Sequence, residues 1–189
     1  MRRNFLESET PSSASAFLDK TPNPEFPPAV AQALAEHPWE GEYGLYLWGK
    51  PGSGKTVAAY WLARRDSLKF ITEKTLIARW RETMNPEANE CTEAGLRSSL
   101  LYYGKRLVLD DIGGGDFGIL TPYAAGVVAG AIDDLYQDSG LIVVTANRAP
   151  SDLIPILGAR TVSRLGEMCR IVKYDHEDRR LRAAIDRAS

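Results

Sequence analysis

The stretch "LYLWGKPGSGKT", Leu45 to Thr56, decides how this chain is read. Four apolar residues run into a segment holding three glycines, a proline and two lysines, and a helical pattern, "TVAAYWLARR", follows. Such a segment fills a core poorly but suits the enclosure of negative charge. Gly49, Lys50, Pro51, Gly52, Ser53, Gly54, Lys55 and Thr56 satisfy the spacing G-x-x-x-x-G-K-[ST], between a strand and a helix as that motif requires. Its glycines let successive backbone N–H groups converge on phosphate oxygens without Cβ clashes. The helix N-terminus behind them adds its dipole. These eight residues are therefore expected to bind ATP, with Lys55 reaching the β- and γ-phosphates and the Thr56 hydroxyl on Mg²⁺.

Outward from this stretch, short β-rich runs alternate with helical patterns. "LYLW" at Leu45, "KFIT" at Lys69, "RLVLD" at Arg106, "LIVVT" at Leu141 and "RIVKY" at Arg170 read as strands. Most lack polar alternation, as expected of strands covered on both faces. The clearest helix starts at Thr121, a good N-cap, with Pro122 at the first helical position. Its apolar residues Ala124, Val127, Val128, Ala131, Ile132 and Leu135 fall on one stripe. The alternation predicts an α/β fold, a parallel sheet with helices on both faces. Residues 1–42, with "ETPSSASAF" and "KTPNPEFPP", read as a Pro/Ser-rich tail or linker laid over the domain, with a short helix in "AVAQALAEH". Residues 43–189 read as the catalytic domain.

"RLVLDDIG" places Asp110 and Asp111 at the end of an apolar strand, and ligands gather at the carboxyl ends of parallel strands. Asp110 is expected to complete the Mg²⁺ shell and Asp111 to orient or deprotonate the attacking water. "GGGDFG" after them is expected to be a mobile loop. "LIVVTAN" ends another apolar strand with Thr145 and Asn147. The Asn147 amide suits hydrogen bonds to a γ-phosphate and to water, and it also suits a plain turn. In "GARTVSRLGEM", Arg160 and Arg164 share a helix face. Either arginine suits phosphoryl-transfer charge, in cis or in trans, or a solvated surface.

Composition narrows the function classes. The chain has 189 residues, 44% hydrophobic and 25% charged, enough for one full core. A formal net charge of -2 argues against a surface coated in basic residues, so any DNA contact must come from a local patch or from assembly. Cys91 and Cys169 lack CxxC spacing and read as free thiols in a reducing, cytoplasmic setting. His37 and His176 make no metal cluster with them. No apolar run is long enough to span a membrane, and the N-terminus lacks the apolar core of a signal peptide.

The ordered set of phosphate loop, "LVLDD", "TAN" and "SRL" resembles the AAA+ ATPases of the DnaC/IstB type, which contain replicative helicase loaders and transposition helper ATPases. "TANRAPSDL", "SRLGEMCRIV" and "DHEDRR" carry the resemblance, which runs from about Tyr43 to Arg182. It implies a five-stranded parallel sheet without a separate helical lid domain, and ATP bound between neighbouring subunits. It places Asn147 as the sensor residue and Arg164 as the arginine donated to a neighbour's ATP, with Arg179 or Arg180 near a closing segment of no settled role. It implies a replicative helicase and single-stranded DNA as partners, self-association through the ATP site, and ATPase activity in DNA replication. The helix in "EKTLIARWRETMN", with Lys74, Arg79 and Arg81, faces DNA in such loaders; an ordinary amphipathic helix burying Leu76, Ile77 and Trp80 fits equally. The chain departs from the family in having Leu135-Tyr136 where Arg-Tyr is frequent, and only a short segment in place of a folded helicase-binding domain. A transposition helper, a P-loop small-molecule kinase and a nucleotide-binding interaction module are the rival readings. "GGGDFG" makes a poor kinase lid, and no arginine lies between Arg106 and Arg148.

Overall fold

The apolar runs form five parallel strands in a computed structural model that describes residues 9–35, 44–85, 92–102, 105–113 and 120–175. They are β1 (Gly44–Trp48), β2 (Lys69–Thr72), β3 (Arg106–Ile112), β4 (Leu141–Ala146) and β5 (Cys169–Lys173), in the order β2-β3-β4-β1-β5. The helices are α1 (Ser12–Lys20), α2 (Pro28–Ala35), α3 (Lys55–Asp66), α4 (Glu73–Glu82), α5 (Glu93–Tyr102), α6 (Pro122–Gln137), α7 (Ile154–Leu157) and α8 (Ala159–Met168), with a 3₁₀ turn at Pro150–Leu153. Among the described residues no helical lid domain follows β5.

Neighbouring strand residues point to opposite faces, and both faces are buried. Leu45, Leu47, Phe70, Val108 and Val143 join one core with α2 and α3. Tyr46, Ile71, Leu107, Leu109, Ile142 and Val144 join the other, with α4, α6 and α8. This is why the strands read as near-continuous apolar runs. The expected stripe on α6 is buried in full, and Thr121 caps the helix, its hydroxyl accepting from the Ala124 N–H. On α4, Leu76, Ile77 and Trp80 are buried, Arg79 pairs with Glu82, and Lys74 and Arg81 are exposed.

The N-terminal segment holds one helix beyond the sequence expectation. The Ser-rich stretch forms α1, which packs on α3 through Ala14 and Leu18. Low apolar content hid it; the two buried residues are four apart on one face. Val30, Ala33 and Leu34 of α2 enter the core beside α3. Trp61 of α3 donates to the Pro22 carbonyl at 3.3 Å and meets Phe26 edge-on at 5.5 Å. Glu9 lies along the edge strand β2, donating to the Phe70 carbonyl and accepting from the Thr72 N–H, which covers backbone groups an open edge would leave bare.

Candidate nucleotide site

The phosphate loop follows β1 directly and opens α3. Gly52 (φ 73) and Gly54 (φ 109) take left-handed conformations, so the backbone curls around one point. A Cβ on Gly49 would stand 2.3 Å from the Tyr174 carbonyl oxygen, so this position admits glycine alone. Buried Tyr174 underlies the loop: its N–H donates to the Trp48 carbonyl at 2.6 Å, and its hydroxyl lies beneath Gly54. This support is not legible in the sequence, since a tyrosine just past a strand carries no motif.

Lys50 and Pro51 are exposed at the rim, Gly52 and Gly54 are half-buried, and Ser53 is fully buried. Lys55 is buried with its Nζ turned into the loop, donating to the carbonyls of Gly49 (3.0 Å) and Lys50 (2.8 Å). The α3 N-terminus has no side-chain cap. Its N-terminal dipole, the curled loop and the lysine together make an anion cradle.

Across from the cradle, β3 brings up the two carboxylates. The Thr56 hydroxyl donates to Asp110 at 3.1 Å, and the Thr145 hydroxyl donates to Asp110 Oδ1 at 2.6 Å. Burial pushes the Asp110 carboxyl above its usual range, while those two hydrogen bonds pull it back. β3 then bulges. Leu109 pairs with Val144 and Ile112 with Ala146, so β3 advances three residues while β4 advances two. Asp111 sits in the extra length with φ 61 and is exposed. Its N–H donates to Thr145 Oγ1 at 2.8 Å, and its Oδ1 accepts from Asn147 Nδ2 at 3.2 Å. Thr145 therefore holds both aspartates. It was seen in the sequence only as the polar end of a strand.

One contributor was missed outright. Glu73, the first residue of α4, is buried and accepts from the Gly113 N–H at 2.6 Å. Burial pushes its carboxyl above the ordinary range, and the nearby Asp111 charge adds to that.

Arg164 lies on α8 as its spacing predicts, but its side chain is only 13% exposed and is held within the chain. It pairs with Asp133 of α6 and stacks over the Tyr136 ring at 4.7 Å. Tyr136 in turn donates to Glu167 at 2.7 Å. Arg160, one turn earlier, is exposed. Most of "GGGDFG", together with Cys91, His37, His176, Arg179 and Arg180, lies outside the described residues. Cys169 is a buried free thiol.

A phosphate-loop sequence after β1 of a sheet of order β2-β3-β4-β1-β5, with two aspartates at the end of β3 and an asparagine just past β4, makes a candidate nucleotide site. Solved structures bear out the fold. The DnaC helicase loader superposes with a TM-score of 0.60 at 21% identity, covering 89% of this chain and 93% of that one. Domain III of the Thermotoga maritima replication initiation protein DnaA gives 0.60 at 22%, covering 85% and 68%. The replication initiator DnaA bound to AMPPCP and single-stranded DNA gives 0.56 at 20%, covering 77% and 44%. No family model matches the sequence, and no curated protein does. The chain shares the five-stranded parallel α/β fold of these DnaC and DnaA structures. Among the described residues, no helix is long and apolar enough to cross a membrane.

Proposed function

We propose that this protein is an ATP-binding and ATP-hydrolysing helicase loader of DNA replication, which assembles with ATP and engages single-stranded DNA and a replicative helicase. The observation that carries the nucleotide reading is the convergence of Lys55, Thr56 and Asp110 on one uncapped helix N-terminus. Similarity of fold to the DnaC helicase loader over nearly the whole of both chains favours a loader over the other replication roles.

Thr56 and Asp110 offer hard oxygen donors already in mutual contact, and the described residues contain no larger cluster of metal-ligating side chains. Such a pair fits Mg²⁺, which takes few protein ligands and completes its shell with phosphates and water. Bound there, the ion would supply charge neutralisation at the phosphates. Lys55 would turn from the loop carbonyls to the β- and γ-phosphates. Asp111, held by Thr145 and Asn147, would orient the attacking water and accept its proton. Arg164 would reach a neighbouring subunit's triphosphate on assembly, exchanging Asp133 for a more highly charged partner. The exposed Lys74 and Arg81 on α4 offer a basic face to a phosphate backbone.

An affinity pull-down with ATP from the source cell tests the biological part. A replicative helicase in the bound fraction supports the loader, whereas a transposase would transfer the same site to a transposition helper. A filter-binding titration of single strands tests the assembly part. Binding should strengthen with ATP, because assembly multiplies a small patch on a net-acidic chain. Tight binding without nucleotide at high salt would defeat it.

A further inference from the structure

Glu73 lies outside every motif in the chain, yet it touches the backbone next to the candidate catalytic carboxylate. The bulge in β3 takes the Asp111 N–H out of register with the sheet, and the Gly113 N–H follows directly on Ile112, the last residue of the strand. Side chains from the flanking elements take both. Thr145 of β4 accepts from Asp111, and Glu73 of α4 accepts from Gly113. Asp111 and Gly113 both have positive φ, 61 and 63. An L-residue such as Asp111 keeps that conformation only where its surroundings hold it. At Gly113 the positive φ itself favours glycine, and a Cβ there would push on a Leu153 methyl 2.7 Å away.

A buried carboxylate is costly unless it is paired or hydrogen-bonded. Among the described residues Glu73 has no ion-pair partner. Its charge is offset by the Gly113 N–H and by the N-terminus of α4, where an acidic residue in the first turn is favoured. A shorter polar residue would serve the helix terminus. Only a side chain of glutamate's reach spans from α4 to the far side of the bulge.

We infer that Glu73 is a positioning residue for hydrolysis, fixing Asp111 against Asn147 by gripping the Gly113 amide while taking no part in nucleotide binding. This rests on the hydrolytic reading of the site.

Two conservative variants test it on the full chain, assembled with ATP, Mg²⁺ and a dT oligomer. Glu73→Asp keeps the charge but withdraws the carboxylate by one methylene. Glu73→Gln keeps the reach and an acceptor oxygen but drops the charge. Glu73→Asp should lower kcat about tenfold or more, the usual consequence of a misplaced reacting group. Glu73→Gln should stay within about threefold of wild type, because its amide oxygen still accepts from Gly113. A fluorescent ATP analogue should bind both variants within about twofold of wild type, since the cradle is untouched. Full activity in Glu73→Asp, or an equal fall in both variants, overturns the assignment. So does a loss of nucleotide affinity that parallels the loss of kcat. A wild-type chain that binds ATP but never turns it over would remove the hydrolytic reading, and this inference with it, so that failure is separable from the first.

Discussion

The two halves of the proposed nucleotide site are built in opposite ways. The cradle comes from one continuous stretch, Gly49 to Thr56, shaped by its own glycines and resting on one buried tyrosine. The carboxylate end comes from four elements: Asp110 and Asp111 from β3, Thr145 and Asn147 around the end of β4, Glu73 from α4 and Thr56 from α3. A local motif keeps its shape through backbone conformation and survives most changes around it. A composite site depends on register, so single distant side chains can undo it. The halves should therefore fail differently when mutated: cradle changes should remove binding, and carboxylate-end changes should spare binding and remove turnover.

The largest effect is expected at Lys55. Lys55→Ala removes the one cation inside the cradle, and kcat/KM for ATP should fall by about 10³ or more, with weaker nucleotide binding. Unchanged affinity and turnover would break the comparison at its first half. Arg164→Ala should leave ATP binding intact while turnover falls by about 10³. Mixing Arg164→Ala with Lys55→Ala subunits should restore some activity, because one interface then pairs an intact cradle with an intact arginine. Zero turnover at every mixing ratio, with mixed assembly confirmed, would leave Arg164 to its contacts with Asp133 and Tyr136 and turn attention to exposed Arg160.

Asp111→Asn comes next. It keeps the Asn147 neighbour but loses the base, so turnover should fall about 10²-fold with ATP still bound. Equal loss of binding would show that the carboxylate end serves affinity as well. Thr145→Val should cost less activity but more stability. It strands the Asp111 N–H and removes a donor to Asp110, a loss of about 1–3 kcal/mol. That lowers Tm by roughly 2–12 °C in a chain of this size. A differential scan beside an ATPase assay checks both parts.

The smallest effect concerns pH. The folded-state pKa of Glu73 is raised above its ordinary 4.5, chiefly by burial. The folded chain thus holds this proton more tightly than the unfolded chain, and stability falls as pH rises through the raised pKa. Glu73→Gln removes that fall. The variant should match or exceed wild-type stability at neutral pH, with the difference fading as pH drops below the ordinary glutamate range. Denaturant midpoints across a pH series measure it. A difference that grows toward acid would reverse the sign and contradict burial as the dominant cause.

The N-terminal segment differs from the site in legibility. Pro, Ser and Thr composition marks residues 1–42 as an appendage but is silent on where it lies. Its docking on α3 depends on scattered residues such as Trp61, Phe26, Arg65 and Leu34, which lie some thirty positions apart in the chain.

What the sequence by itself determined was whatever is local in the chain. Strand and helix periodicity, the Thr121 cap and the whole phosphate cradle depend on neighbours within a few residues, so backbone preference and patterning express them directly. Asp110 and Asp111 were legible as well, because parallel strands end where ligands gather. Only the tertiary structure decided how those carboxylates are held. The bulge arises from pairing between β3 and β4, and Thr145, Glu73 and Tyr174 act on residues dozens of positions away. The pairing of Arg164 with Asp133 and Tyr136 belongs to the same class. These are contacts between elements, set by register and packing, and a linear pattern carries no trace of a hydrogen bond until the sheet has fixed which N–H groups it leaves over.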